Sequence, residues 1–445
     1  MTQNFLSCDR EQELLLPPSL RDWLPDGHLA WFVLESVAEI DLAAIYRAYR
    51  PDGQGRPAHE PAMMTALFLY AYAVGERSTR AIERRCVEDV AFRVIAANRA
   101  PDHTTISRFR RRHEQALAGL FSDVLVLCAK AGLVSVGTVA VDGTKLQANA
   151  SLDANRSYET IRSDVERYFR ESAEIDAAED ELYGDKRGDE LPAELADPTT
   201  RREALRRAKA ELEAEHAARQ ADYDARTQRH REYVERTGKR PRGRPPASPP
   251  QDDALFTAKR NLTDLDSRIV RDKGARIQGY NAQAVVGEGQ IIIAAQITSR
   301  AVDGGLLEPM VSAAQAQLSA AGLPDHLDVV LADGAYWNND QIGALHDQGI
   351  TALIPPAARH RRTPRQRAGN QGPHADRINA ILATDDGDAL YRRRQHIVEP
   401  VFGHIKYLRS IDRLARRGLQ ACQAEWQLIA ATHNLLKLYR APTPA

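Results

Sequence analysis

The sequence is poor in cysteine and in long apolar runs. The four cysteines lie far apart and form no C-x-x-C pair, which argues against a zinc site or a disulfide framework and fits a reducing compartment. No apolar run reaches the length that spans a membrane, and the N-terminus lacks a basic segment followed by an apolar one. We therefore expect a soluble, cytoplasmic protein that is not exported.

The sequence also has almost no net charge, −1 at pH 7, so no overall field points to nucleic acid or to a membrane. Local blocks of charge are nevertheless strong. Residues 159–197 carry fourteen acidic and five basic side chains, 200–244 fourteen basic and eight acidic, and 357–417 fourteen basic and six acidic. Such a block is usually a solvated face, but two basic blocks in one chain favour a polyanion as partner.

Residues 1–132 are predicted to form an all-α domain. Pro61 suits the first turn of one helix, Ser78 can cap the next, and a long helix is expected from about Thr104 to near Gly132. The last two helices could form a helix-turn-helix that binds DNA. Its second helix would carry the basic side chains Arg108, Arg110, Arg111 and Arg112. The alternative is that these arginines only solvate a surface helix.

Residues 133–150 and 256–445 are predicted to form an α/β domain. "VGTVAVDG" and "DVVLADG" are typical of buried strands that run into turns, and 279–298 of a hairpin. Residues 151–255 differ, because they are charged, rich in alanine and too poor in apolar residues for a core of their own. We interpret them as a helical insertion after the first core strand, with a basic, Pro-rich linker over 238–250.

Two of the predicted strands end in Asp-Gly, at Asp142 and at Asp333. Asp-Gly is a common turn, but aspartates at the ends of neighbouring strands can share a metal ion, and oxygen ligands select Mg²⁺ or Mn²⁺. Glu399 is a candidate third ligand. Pro400 is expected to place Glu399 in or just before the first turn of a helix, where the helix N-terminus favours a carboxylate. Asp303 is expected to cap a helix.

Three carboxylates can hold two divalent ions about 4 Å apart for in-line displacement at phosphate. Lys406 and the triplet 392–394 would surround a phosphodiester bound there. The basic block around Glu399 would then bind a nucleic-acid backbone.

Several motifs of the sequence resemble those of a known family. "VAVDGTKLQANAS", "GYNAQAVV", "VVLADGAYW" and "YRRRQHIVEPVFGHIK", in this order, resemble the catalytic core of DDE transposases from bacterial insertion sequences. The segment from "RPAHEPAMMTALFLYAYAVGERSTRAIERRC" to "PDHTTISRFRRRHE" is similar to the helical domain that precedes that core. The resemblance covers nearly the whole chain outside about 160–255.

The resemblance implies an RNase H-like fold in which Asp142, Asp333 and Glu399 form the catalytic, metal-binding triad. It implies Mg²⁺ as cofactor, with Mn²⁺ as a substitute. The implied partner is double-stranded DNA, both the terminal inverted repeats of the element and the target, bound by a homodimer. The implied location is the prokaryotic cytoplasm, at the nucleoid.

The wider superfamily has a signature of tyrosine, arginine, glutamate and lysine, matched here by Tyr391, Arg394, Glu399 and Lys406. Its usual gap from arginine to glutamate is three residues, and here it is four. Either Arg393 or Arg394 can therefore fill the arginine position, and both are candidates for contact with DNA.

Three rivals stay open on the sequence. "VAVDGTK" faintly resembles haloacid-dehalogenase-type phosphatases, but Thr144 stands where those enzymes need a second aspartate. A DNA-binding regulator without enzymatic activity would explain the helix-turn-helix and leave the carboxylate motifs unexplained. An inactivated or domesticated copy is disfavoured by the intact triad.

Overall fold

A computed structural model describes residues 19–50, 57–167, 198–238, 258–272, 274–356 and 374–441. Nearly all of the predicted linker and most of the acidic block lie outside these ranges. Within them, no helix has both the length and the apolarity needed to cross a membrane.

The described residues before the sheet are helical, as predicted. A 3₁₀ turn, Leu20–Trp23, precedes helices α1 to α7, which are Leu29–Ala38, Ala43–Tyr46, Pro61–Ala73, Thr79–Glu88, Val90–Ile95, His103–Arg112 and Glu114–Lys130. Pro61 is the first residue of α3, and the Ser78 hydroxyl accepts a hydrogen bond from the Ala81 N–H at the start of α4. Both local predictions are confirmed.

The long helix expected from Thr104 to Gly132 is wrong, because α6 and α7 are separate helices. His113 stands between them with non-helical backbone angles, φ −109° and ψ 24°. Its buried ring stacks on Tyr49, with ring centroids 5.5 Å apart, and also packs against Phe109. The packing of this ring accounts for the break, which no local breaker residue marks.

The sheet is mixed, with the order β4–β5–β1–β7–β8 and with β6 also paired to β5. The strands β1 to β8 are Thr138–Gln147, Asn155–Ser157, Lys259–Asn261, Arg268–Asp272, Ala275–Gly287, Ile292–Thr298, Val329–Leu331 and Thr351–Leu353. β5 runs antiparallel to β1, β4 and β6, whereas β7 is parallel to both β1 and β8. β2 and β3 form a separate antiparallel pair.

Further helices lie between and after these strands. In chain order they are α8, Pro198–Thr237; α9, Leu307–Ala320; α10, Asn339–Asp347; α11, Ala375–Leu382; α12, Asp385–Gly403; and α13, Leu419–Arg440. A π-helical turn, His404–Leu408, follows α12. α13 packs against α3, α7 and β6, so the buried side chains of the N-terminal helices and of the sheet form one continuous apolar core.

The chain between β1 and β4 leaves this core. β2 and β3 pair at its base, and the 40-residue helix α8 lies between them in the sequence. We expected this region to have too few apolar residues for a core of its own, but its described residues contain a small apolar core. α8 packs on the start of the excursion through a second cluster made of Tyr158, Ile161, Leu205, Ala208 and Leu212.

Candidate active site

Asp142 and Asp333 stand at the same level on neighbouring strands. β1 and β7 are parallel, and Ala140 of β1 pairs with Leu331 of β7. Each aspartate lies two residues beyond its member of this pair, so the two aspartates lie side by side at the same level of the sheet. Asp333 caps a short 3₁₀ helix, Gly334–Tyr336, by accepting a hydrogen bond from the Ala335 N–H at 2.9 Å.

Gly143 shows that the first Asp-Gly pair is not a turn, contrary to expectation. β1 continues through it to Gln147, and Gly143 pairs with Gln283 of β5. A Cβ at Gly143 would lie far inside van der Waals contact with the Gln283 Nε2 atom. A side chain at this position would have to displace the buried, hydrogen-bonded side chain of Gln283. The second Asp-Gly pair does follow the end of a strand, β7.

Glu399 lies near the C-terminal end of α12, so the expectation that it begins a helix is wrong. Pro400 is inside this helix, where it cannot donate a hydrogen bond to the His396 carbonyl. The Gln290 side chain donates to that carbonyl instead, at 2.9 Å. Because this acceptor is satisfied from outside the helix, α12 continues past the proline, and Glu399 gains nothing from a helix N-terminus.

Arg394 of α12 joins Asp142 to Glu399. Its Nη1 donates to the Asp142 Oδ2 at 2.9 Å, and its Nη2 lies 3.6 Å from the Glu399 Oε1. The Arg394 side chain is 13% exposed, that of Asp142 21% and that of Glu399 55%. Two carboxylates far apart in the sequence thus share one largely buried guanidinium.

The charges of this cluster shift each other's pKa. Burial raises the pKa of Asp142 to about 6, assisted by the charges of Asp333 and Asp303, while Arg394 and the Gly143 N–H oppose the rise. Burial lowers the pKa of Arg394, but Asp142, Tyr391, Asp333 and Glu399 outweigh it and the net shift is upward. The guanidinium therefore stays charged and stabilises the ionised form of Asp142.

The two arginine candidates of the signature have different surroundings. Arg394 faces the carboxylates, whereas Arg393 pairs with Glu288 of the turn between β5 and β6. Tyr391 lies on α12 one turn before Arg394. Lys406, in the π-helical turn, binds the Asp272 carboxylate at 3.1 Å and the Thr144 hydroxyl at 3.3 Å.

The chemical type of the candidate ligands suits a divalent metal ion. Asp142, Asp333 and Glu399 offer only carboxylate oxygens, the ligands of Mg²⁺ and Mn²⁺, and the buried Asp142 favours a cation beside it. Across the described ranges, however, no three His, Cys, Asp or Glu side chains converge as metal ligands. Arg394 lies between Asp142 and Glu399 in this arrangement.

A polar network beside the site was not predicted. Asp303 was expected to cap a helix, but its Oδ1 accepts from Asn281 at 2.7 Å, Gln283 at 2.9 Å and Lys145 at 3.3 Å. The Tyr336 hydroxyl donates to the side-chain Oε1 of Gln283. This links the 3₁₀ helix that follows Asp333 to β5, the neighbour of the strand that carries Asp142. The available signal was the alternation of polar Asn281 and Gln283 with apolar residues in "GYNAQAVV".

The predicted DNA-contacting arginines of the N-terminal helices lie around a groove of about 700 Å³ between α4 and α6. Arg108, Arg111 and Arg112 line it from α6, and Arg80 from α4. Arg112 stacks over the Tyr49 ring at 4.8 Å. Arg110 differs, because it turns inward and donates to the Arg77 carbonyl at 3.2 Å.

Two protein-family models match the chain. Residues 18–112 match a Transposase domain (DUF772), and residues 257–435 match a Transposase DDE domain. The chain is a DDE transposase of the insertion-sequence type. No curated protein and no solved structure gives a significant match.

The family makes this transposase a nuclease-type enzyme, and DDE transposases generally use divalent metal ions. The first match covers α1 to α6, including the α4–α6 groove. The second includes Asp333 and Glu399. Asp142 lies between the two matched ranges, so its assignment depends on the strand register and on Arg394.

Proposed function

We propose that this transposase binds the ends of an insertion sequence, cleaves a DNA strand there and transfers it to target DNA. Asp142, Asp333 and Glu399 are its catalytic carboxylates. The observation that carries this proposal is the register of β1 and β7, which brings Asp142 and Asp333 to one level, together with the Arg394 guanidinium that links Asp142 to Glu399.

The sheet supports an RNase H-like core. Three antiparallel neighbours, β6, β5 and β1, are followed by the parallel strands β7 and β8. We assign residues 133–150 and 256–445 to this catalytic domain, 1–132 to the DNA-binding helices and 151–255 to the insertion. The pairing of β2 with β3 at the base of the excursion supports the last assignment.

The three carboxylates would hold Mg²⁺, with Mn²⁺ as a substitute. Bound there, divalent ions activate the attacking oxygen and stabilise the leaving oxygen of a phosphodiester. The chemistry is hydrolysis at the element end, which frees a 3′-OH, followed by transesterification, in which that 3′-OH attacks target DNA. Arg394 pairs with both Asp142 and Glu399 and would keep these two carboxylates oriented toward the site.

Basic side chains bind the DNA. Arg393, Arg394 and Lys406, together with Tyr391, lie on α12 and the turn after it and would contact the phosphates beside the scissile bond. Arg108, Arg111 and Arg112 of the α4–α6 groove bind the terminal inverted repeats. We expect a homodimer on DNA, since an element has two ends, and a cytoplasmic location at the nucleoid.

The test is a nicking assay and a gel shift on one labelled duplex that carries the DNA flanking the reading frame. Asp142→Ala, Asp333→Ala and Glu399→Ala should each lower the nicking rate at least about 100-fold, because displaced ligands misplace the reacting groups. Binding should stay close to wild type, since affinity comes from cations that these carboxylates oppose.

Asp328→Ala is the matched control. Asp328 is an exposed aspartate just before β7, whereas Asp333 lies just after the same strand. It should nick at the wild-type rate. Mn²⁺ should partly restore the carboxylate variants but not Lys406→Ala, which should lose binding and cleavage together. Wild-type nicking by Glu399→Ala would remove Glu399 from the triad.

A further inference from the structure

The arginines on α12 and after it differ in the groups that pair with them. Arg394 pairs with Asp142 and Arg416 with Glu114. Arg413 and Arg417 instead bind neutral acceptors. The Arg413 Nε and Nη2 donate to the Gln147 Oε1 at 3.2 and 2.9 Å, and the Arg417 Nε donates to the Asn149 carbonyl at 2.8 Å. The hydrogen bonds orient these two guanidinium groups, and because the acceptors are neutral they do not offset the positive charge.

The position of Arg413 is fixed by the edge of β1. β7 pairs with β1 only from Thr138 to Ala140. Farther along, the segment after the π-helical turn takes this edge. The Gln147 N–H donates to the Asp412 carbonyl at 2.9 Å, and the Leu414 N–H to the Gln147 carbonyl at 2.8 Å. Arg413 is therefore held at the end of β1 by backbone pairing on both of its sides.

Basic side chains consequently follow β1 away from the active site. Arg394 contacts the strand at Asp142, Lys406 at Thr144 and Arg413 at Gln147. At roughly 3.3 Å per strand residue, the row extends about 17 Å along the edge of β1, and because side chains alternate along a strand it passes from the face of Asp142 and Thr144 to the opposite face at Gln147. Arg417 continues it at Asn149, beyond the end of the strand.

The row ends in a groove of about 720 Å³, which we name the β1-end groove and which is lined by Gln147, Asn149, Asp153, Arg276, Arg413 and Arg417 among others. Arg276, Arg413 and Arg417 are exposed, and in the described part of the chain none of them pairs with a carboxylate. Asp153 is the one acidic residue among the lining residues that the structure describes. The groove thus carries excess positive charge although the whole chain is nearly neutral.

We propose that the β1-end groove binds the phosphate backbone of duplex DNA that leads away from the carboxylates. The proposal rests on the proposed function of the carboxylate site. Guanidinium groups oriented by neutral acceptors suit phosphate, because they keep their charge and their remaining N–H donors. A row of cations that begins at the carboxylates fits a continuous polyanion, whereas a single phosphate would occupy only one part of the groove.

The first test measures the binding of a short fluorescein-labelled duplex of arbitrary sequence by anisotropy over a range of NaCl concentrations. Arg276→Gln, Arg413→Gln and Arg417→Gln should each make the slope of log K against log salt shallower by about 0.9, and the triple variant by about 2.7. Arg226→Gln is the control, because Arg226 lies on α8 in an exposed pair with Asp222. Its slope should match that of the wild type.

The second test locates the DNA. Leu152 lines the groove and is 41% exposed. With p-benzoylphenylalanine at Leu152, irradiation should cross-link the protein to the duplex, and the same photoprobe at Tyr233 of α8 should give much less product.

An unchanged slope in the triple variant overturns the proposal, and so does a shallower slope without a cross-link from Leu152. Both outcomes presuppose a wild-type protein that binds DNA with a clear salt dependence. If the wild type shows none, the proposed function itself fails, which distinguishes the two failures. Circular dichroism of each variant should match the wild type, because all three arginines are exposed.

Discussion

Basic side chains have different surroundings at the carboxylate site and in the α4–α6 groove. At the carboxylate site Arg394, Lys406 and Lys145 are largely buried, and each pairs with an aspartate. In the groove Arg108 and Arg111 are exposed, with no carboxylate partner among the described residues. A buried, paired cation supports the folded state, whereas an exposed, unpaired one is available to a ligand. The two regions should therefore respond differently to loss of charge.

Arg394→Ala should give the largest loss of stability. It leaves Asp142 in a buried place without its counterion, and breaking such a pair should cost about 2–4 kcal/mol, toward the lower end because both side chains are partly exposed. Urea unfolding followed by circular dichroism measures the free energy. The same variant should lose both DNA binding and cleavage.

Arg393→Ala is the matched control, because Arg393 is next to Arg394 on α12 and pairs with Glu288 near the surface. It should lose less than about 1 kcal/mol. Equal losses in the two variants would contradict the contrast between buried and exposed pairs. They would also reopen the question of which arginine matches the family signature.

Gly143→Ala should have an intermediate effect, about 1–3 kcal/mol of overpacking next to the carboxylate site. The new Cβ would displace Gln283 and weaken its hydrogen bonds to Asp303 and Tyr336. Adding Gln283→Ala should restore space, so the double variant should lose less stability than the sum of the two single variants. Urea unfolding of all four proteins measures this coupling, and strict additivity would show that Gln283 is not what Gly143 accommodates.

Local features of the fold were predictable because their causes lie within a few residues. The N1 proline of α3 and the serine cap of α4 follow from the sequence around Pro61 and Ser78. The alternation of helices, strands and a charged excursion followed from composition and periodicity. Ordered motifs resembling the family's then indicated Asp142, Asp333 and Glu399 together.

The failures have non-local causes. Gly143 lies inside a strand because β1 pairs with β5 on both sides of it. Pro400 lies inside a helix, and the side chain of Gln290, 106 residues from His396, satisfies the carbonyl that the proline leaves free. Neither partner is near in the sequence, so the local rules for Asp-Gly turns and for proline gave the wrong answer. The network around Asp303 was missed for the same reason.

The smallest effect on stability, and the clearest test of the comparison, concerns the α4–α6 groove. Arg108→Gln and Arg111→Gln should leave the free energy of unfolding within about 0.5 kcal/mol of the wild type, because these exposed side chains support no other group. Each should nevertheless make the salt dependence of binding to element ends shallower by about 0.9.

Arg112→Gln should do the same and also lose the stack on Tyr49, an additional cost of about 0.5–1 kcal/mol. Arg110→Gln is the control with the opposite pattern, since Arg110 donates to the Arg77 carbonyl inside the fold. It should lower stability and leave the salt slope unchanged. If Arg108→Gln and Arg111→Gln bind element ends as the wild type does, recognition of the ends belongs to the insertion or to the C-terminal basic residues, and exposed charge without a partner is a poor guide to the DNA-binding surface of this transposase.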